Sequence, residues 1–230
     1  MLIKGGGGTG GLNPMKKLVV YTAIFGGKDR VRELKFNNID AYLFTEDRQL
    51  KSKTFKVIYV KPRFADSPHY SSRYYKILPH RIDIFKNYQY SFWIDGNREF
   101  VINPNAVVKS LKDEIIMVGR HYRTEKRDCY DEAEQCIRLR KDKPQKIKKQ
   151  VEFYKNQGLP ENFGLWGCPV MLRRHNDLQC IKFCEMWWEE ILFRSCRDQI
   201  SFPYIVWKTG IAPAPFKKGM PIVKKHKHIK

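Results

Sequence analysis

Between Tyr90 and Asn97 the chain reads Tyr-Ser-Phe-Trp-Ile-Asp-Gly-Asn, a five-residue apolar and aromatic run broken abruptly by Asp95, Gly96 and Asn97. This pattern predicts a buried strand that delivers a carboxylate to its exposed carboxyl end. That end is where open α/β sheets bind ligands. Hard divalent cations such as Mg²⁺ or Mn²⁺ take oxygen ligands, and Asp-Gly-Asn offers a carboxylate and an amide oxygen around a residue with no side chain to obstruct a phosphate. The same eight residues also suit a strand followed by a plain Asp-Gly turn, for example a type I′ hairpin. Taken alone, they leave both readings open.

The surrounding pattern predicts an α/β sandwich. Strands are expected at 18–24, 41–45, 56–60, 114–119 and 169–172, besides the one ending at Asp95. Amphipathic spacing places helices at 128–140 and 145–157, the second closed by Gly158, and a long helix over 177–193. Its Phe183, Trp187, Trp188 and Ile191 suit a core face, with a sugar-stacking platform as the other reading of the tryptophans. A short helix opens at Pro104 and a final one at Arg197 or Asp198. Ser71 or Ser72 is expected to cap a helix from Arg73, which Pro79 kinks or restarts. On that helix Arg73 and Lys76 share a face, and His80 extends the stripe if the helix resumes. The stripe suits a pyrophosphate held at the neighbouring strand end, or equally a solvated basic surface. The first strand runs into Phe25-Gly26-Gly27, which either lets backbone approach a nucleotide closely or is a plain turn.

Three segments follow. Residues 1–14, with Gly5 to Gly8, Gly10 and Gly11, have nothing to bury and suggest a disordered leader or an appended remnant. Residues 15–216 form the folded domain, and 217–230, with six lysines and two histidines, suggest a flexible basic end. Lys and Arg number 44 against 24 Asp and Glu, a formal charge of +20 that favours phosphates, anionic lipid headgroups or acidic polysaccharide as partners. The six cysteines contain no Cys-x-x-Cys pair, which argues against a zinc site or disulfide framework. With no apolar stretch of membrane-spanning length and no signal-like start, the chain is expected to be soluble and cytoplasmic. The basic end leaves room for peripheral contact with anionic surfaces.

Six ordered motifs go further: Val20 to Asp29, Arg73 to His80, Trp93 to Asn97, Tyr130-Asp131-Glu132-Ala133, Gln150 with Tyr154, Gly158 and Pro160, and Arg197 to Phe202. In this order they resemble the glycosyltransferase-like family once catalogued as a domain of unknown function, whose plant members are linked to mucilage polysaccharide and pollen-tube wall biology. The resemblance covers roughly 17–208. It implies a single GT-A-like domain with a mostly parallel sheet and a nucleotide-sugar, a UDP-sugar by preference, bound across the strand ends. It also implies transfer to a glycan or glycoconjugate hydroxyl, as in polysaccharide biosynthesis. Thr22, Ala23, Phe25 and Gly26 would then hold the base and ribose. Asp95, Gly96 and Asn97 take the place of the Asp-x-Asp motif that binds Mn²⁺ or Mg²⁺ on the diphosphate. Asn97 replaces the second acid, so the metal would be held weakly or need another ligand, for which His226 or His228 is the candidate.

The chemistry of transfer assigns the remaining residues. Negative charge grows on the departing diphosphate and would be met by the metal with Arg73 and Lys76. In an inverting enzyme a carboxylate takes the acceptor proton. Asp198 is the first candidate, although the start of a helix equally suits an N-cap, and Glu132 is the second, although it also suits a solvated helix face. His121 and Arg127 lie beyond a strand end and, with Gln199, are candidates for contact with donor sugar or acceptor. Two other readings remain: a polyanion- or nucleic-acid-binding protein, on the +20 charge, and a nucleotide-sugar-binding pseudo-enzyme, on Asn97.

Overall fold

The computed structural model describes residues 16–109, 111, 113–120, 127–216 and 221–228. The Gly-rich leader and His121 lie outside the described residues. Strands β1 (Lys16–Ile24), β2 (Asp40–Thr45) and β3 (Lys56–Tyr59) come first, followed by helix α1 (Pro68–Ile77). Then come β4 (Tyr88–Ile94), β5 (Arg98–Phe100), α2 (Pro104–Val108) and β6 (Ile116–Arg120). Helices α3 (Cys129–Arg138) and α4 (Pro144–Asn156), strand β7 (Trp166–Arg173), and helices α5 (Leu178–Phe193) and α6 (Asp198–Thr209) complete the body. Two short strands close the chain, β8 (Ala214–Pro215) and β9 (Val223–Lys225).

Seven strands form one sheet in the order β3-β2-β1-β4-β7-β6-β8. Only β7 runs against the rest: it is antiparallel to both β4 and β6, whereas every other neighbouring pair is parallel. This is an α/β sheet, mostly parallel and buried on both faces, which is why β1 and β4 read as continuous apolar runs rather than alternating ones. One face carries Val19, Tyr21, Ala23 and Trp93 under the helices, and the other carries Leu18, Val20, Ile24 and Phe92 under α2 and the long loops.

Helix α5 shows how the helical layer is specified. Asp177 accepts from the Gln179 and Cys180 amides at 2.8 and 3.2 Å, which caps its first turn. Cys180, Phe183, Cys184, Trp187, Trp188 and Ile191 then recur at helical spacing and are all buried. The tryptophans are therefore core. Trp187 Nε1 donates to Ser201 on α6 at 2.9 Å, which satisfies its one polar group.

Helix α1 begins earlier than its serines suggest. Pro68 opens it, because proline has no amide hydrogen to lose and its φ is already helical. Ser71 is thereby drawn inside the helix, where its hydroxyl meets the Phe64 backbone instead of capping. Beyond Ile77 the chain does not resume the helix but passes through two 3₁₀ turns, Pro79–Arg81 and Asp83–Phe85. His80 consequently leaves the basic stripe and meets Glu185 Oε1 at 2.6 Å.

Strand β7 is longer than expected and passes through Pro169 in the middle of the sheet. A proline cannot donate to the ladder, and the structure absorbs it with a register shift in β6 between Val118 and Gly119. The Pro169 carbonyl remains useful, accepting from the Asp95 amide at 2.8 Å and so fixing the end of β4.

The basic end is not free over its described part. Val223–Lys225 pairs antiparallel with β5, Ile222 is buried, and the Val101 amide donates to the Ile222 carbonyl at 3.0 Å. Lys224 and Lys227 are exposed and Lys225 borders the cleft, but Ile222 and Val223 give the segment something to pack, which composition alone conceals.

Candidate active site

Five chain segments converge at the carboxyl ends of β1 and β4: the β1 end with the loop after it, helix α1, the Asp95 turn, the start of α6 and the returning C-terminal strand. They enclose a cleft of about 320 Å³. Of the residues expected there, Ala23, Phe25, Arg73, Lys76, Asp95, Asn97, Asp198, Gln199 and His228 line it. Lys28, Asp29 and Arg197, which the sequence placed in motifs without a role, line it as well, as do His69 and Arg98, which it did not mark. Seven lysines and arginines face three aspartates across this lining, so the cleft suits an anion.

Lys76 is the centre of the arrangement. Its side chain is 1% exposed, and its Nζ donates to Asp198 Oδ2 at 2.7 Å and Asp95 Oδ1 at 3.1 Å. An isolated buried ammonium costs several kcal/mol in lost hydration, roughly, so these two carboxylates are conditions of the fold as well as features of the site. Arg73, one helical turn earlier, reaches the other oxygen of Asp198 at 3.3 Å. The basic stripe is thus buried and paired rather than solvated.

Asp198 is the first residue of α6, not its N-cap; Arg197 holds that position without a side-chain cap. Burial by itself would raise the Asp198 pKa, but Arg73, Lys76 and Arg197 outweigh it and hold the carboxyl well below the usual carboxylate range. Such a group stays ionised and is a weak proton acceptor, since a general base works best with a pKa near the working pH. His69 is pushed the opposite way in charge: burial, reinforced by Lys28, Arg73 and Arg197, lowers it to about 4. The neutral ring then accepts from Lys28 Nζ, 2.7 Å from its Nε2.

Asp95 follows β4 directly. Trp93 Nε1 donates to its Oδ1 at 2.7 Å, the same oxygen that Lys76 meets, and the side chain remains 30% exposed to the cleft. The Asp-Gly-Asn segment is also a true turn, closed by the Arg98 amide on the Asp95 carbonyl at 2.9 Å. It is not a type I′ hairpin, because neither Gly96 nor Asn97 has positive φ and β5 pairs with β9 rather than β4. The turn and the site are one object. Gly96 is closely packed as well: a Cβ there would lie 3.1 Å from Asp29 Cβ and Oδ2 and from Ile24 Cγ1.

The C-terminal strand brings the histidines in. The His226 amide donates to the Asn97 carbonyl at 2.9 Å, and its ring meets Glu99. His228 Nε2 lies 3.1 Å from Asn97 Nδ2 and its Nδ1 lies 2.7 Å from Asp29 Oδ1. Among the described residues no group of three or more His, Cys, Asp or Glu side chains forms a metal cage. A divalent cation that keeps much of its shell for substrate phosphates needs only one or two protein carboxylates. Asp95 and the Asn97 amide oxygen are a chemically suitable pair of that smaller kind, whereas the His228 ring is engaged at both nitrogens, by Asn97 Nδ2 and Asp29 Oδ1.

Other candidates lie elsewhere. Thr22 alternates with Ala23 along β1, so its side chain falls on the opposite face of the sheet, buried, with no partner for Oγ1 among the described residues. Gly26 has φ +71°, donates to Glu46 Oε1 at 2.6 Å, and has no room for a Cβ beside Pro68 at 2.9 Å. Glu132 is buried on α3 and paired with Arg127 at 3.2 Å, and neither lines the cleft.

A mostly parallel α/β sheet with an anion-suited cleft around an aspartate at a strand end has the form of a glycosyltransferase-like domain. The chain belongs to the TOD1/MUCI70 glycosyltransferase-like domain family, whose profile matches residues 33–229. It is 35% identical over 144 residues to the probable hexosyltransferase MUCI70 of Arabidopsis thaliana, covering 55% of this chain and 23% of that relative. The chain therefore spans about a quarter of that relative's length. Among solved structures, mouse Xyloside xylosyltransferase 1 in its apo form aligns over 88% of this chain and 85% of its own, at 13% identity and a TM-score of 0.46. Among the described residues no helix is long and apolar enough to cross a membrane.

Proposed function

We propose that this domain transfers a hexosyl group from a nucleotide-sugar, a UDP-sugar by preference, to a hydroxyl of a glycan or glycoconjugate, in the manner of polysaccharide biosynthesis. The observation that carries the reading is Asp95 at the end of β4, open to the cleft and met by the buried Lys76, with the half-buried Arg73 in the same lining. Family membership supports the reaction class, and the name of the Arabidopsis relative supports the sugar class.

In this reading Asp95 and Asn97, joined by His228 once Asn97 releases its Nε2, would hold Mn²⁺ or Mg²⁺. When bound, the cation supplies Lewis-acid stabilisation of the departing phosphate oxygen. Lys76 and Arg73 supply fixed positive charge to the same leaving group, and because Asp198 already holds them in place they need no reorganisation as charge develops. Asp198 serves chiefly as that anchor, and its ionised carboxylate is a weak base for the acceptor proton. Ala23, Phe25 and Gln199 line the cleft, and in this reading the first two would meet the nucleotide and Gln199 the donor sugar or acceptor.

A thermal-shift screen against UDP, GDP, CMP and their sugars, with and without Mn²⁺, tests the reading. A ligand at a hundredfold its Kd adds about 2.7 kcal/mol of stability, which appears as several degrees in Tm. One nucleotide is expected to shift the wild type only with metal and to leave Asp95→Ala unmoved. A shift produced by polyanions alone would transfer the weight to a phosphate-tracking surface. Donor binding without detectable donor hydrolysis or transfer would leave a pseudo-enzyme.

A further inference from the structure

The ribbon of β5 and β9 stands apart from the main sheet and borders the cleft with two cations. In its antiparallel register Arg98 lies directly opposite Lys225, and both line the cleft. Directly opposed residues of an antiparallel pair share one face, with Cβ atoms about 4.5–5.5 Å apart, and like charges so placed weaken the pairing. The next pair shows the favourable arrangement, since Lys224 lies opposite Glu99.

No acid is left for Arg98 and Lys225. Of the three aspartates in the cleft lining, Asp198 receives Lys76 and Arg73, Asp95 receives Lys76, and Asp29 meets His228. Glu99 is taken by Lys35 and His226. Among the described residues neither Arg98 nor Lys225 forms an ion pair, and Arg98 Nε is buried without a hydrogen-bond partner. Burial works against the Arg98 charge, and Asp95, acting through space, offsets this only in part.

A shared anion resolves both defects. Arginine presents a planar fork of donors and lysine a compact charge, a combination suited to phosphate oxygens. We propose that Arg98 and Lys225 clamp the donor diphosphate between them, and that the anion, held by one residue from each strand, fastens β9 to β5. This rests on the reading of the cleft as a donor site. A two-stranded ribbon with three register pairs is marginal by itself, so a ligand that binds only its paired form shifts the balance towards closure. Closure also sets the His226 amide on the Asn97 carbonyl, so the clamp ties donor binding to the turn that carries Asp95.

Hydrogen exchange of the full chain, read by mass spectrometry over 221–228, tests this with UDP and Mn²⁺ as the probe. Mn²⁺ alone and Mn²⁺ with uridine, which lacks the diphosphate, are the references. At a hundredfold its Kd, measured for each chain by calorimetry, UDP is expected to slow exchange of the β9 amides about tenfold or more, against a limit of about a hundredfold. Lys225→Gln is expected to exchange more slowly than the wild type before UDP is added, because the repulsion has gone, and to gain little from UDP. Arg98→Gln is expected to behave likewise. Lys224→Gln, which loses its favourable pairing with Glu99, is expected to start faster and to keep the response. UDP binding that leaves β9 exchange unchanged, or slows it as much in Lys225→Gln as in the wild type, overturns the clamp and leaves the donor site standing. If UDP fails to bind the wild type, the donor reading falls and the clamp with it.

Discussion

Lys76 Nζ and Asp198 Oδ2 meet at 2.7 Å although 122 residues separate them, and both side chains are almost wholly buried. One ion pair therefore joins α1 to α6 and defines the floor of the cleft. Removing one partner of a buried pair leaves an uncompensated charge, so Asp198→Ala is expected to cost about 3–5 kcal/mol. Adding Lys76→Met to the same chain is expected to recover most of that loss, because no buried ammonium remains. Urea denaturation of the two single variants and the double variant measures the coupling, and simple additivity would refute it.

Acid sensitivity follows from the same pair. The folded-state pKa of Asp198 is depressed below the unfolded value of about 3.9, so its stabilisation is complete above that value and drains away as the pH falls towards the folded pKa. The wild type is expected to lose more stability than Asp198→Asn between neutral pH and about pH 3. Chemical denaturation at a series of pH values gives both slopes, and parallel curves would contradict the assignment.

Gly96 offers a steric test. Its φ is not in the left-handed region, so Gly96→Ala carries no backbone penalty and acts only through the 3.1 Å approach to Asp29 and Ile24. Mild overpacking of this kind is expected to cost about 1 kcal/mol. The same substitution in an Asp29→Gly background is expected to cost less, since both crowded Asp29 atoms have gone and only Ile24 remains. Equal costs in the two backgrounds would show that Asp29 does not press on the turn.

Glu132 and Asp198 are both buried acids with basic partners, yet only Asp198 lines the cleft. Glu132→Gln is expected to lower Tm through its lost pairing with Arg127 and to leave the nucleotide-induced shift intact. Asp198→Asn is expected to diminish that shift by loosening Lys76 and Arg73. Measuring both variants by the same thermal-shift series separates the two acids, and loss of the shift in Glu132→Gln would return that residue to the site.

Much of the site is legible in local sequence because its chemistry sits at the ends of strong elements. Asp95 follows a continuous apolar run, Arg73 and Lys76 share one helical face, and Asp198 opens a helix, so each is marked by a nearby pattern. Strand alternation is also legible and separates Thr22 from Ala23, once the cleft is known to lie on the Ala23 side. What local pattern cannot convey is pairing across the chain. Asp29 and Lys28 stand in a loop with no periodicity, and their significance depends on His228 and His69, far away in sequence. Strands β5 and β9 have three residues each, too few to show a period of two, and β9 is further disguised by its lysines. Proline at 169 argues locally against a central strand, and only the register shift in β6 makes that strand intelligible.

The span between Lys76 and Asp198 also sets an order of events on the ribosome. At about 5–20 residues per second, Lys76 precedes Asp198 by roughly 6–24 s. Until then its ammonium has one of its two carboxylates, Asp95, made 19 residues later at the end of β4. Helix α1 can therefore settle on the early strands half-paired, and the cleft gains its second anchor when α6 is made.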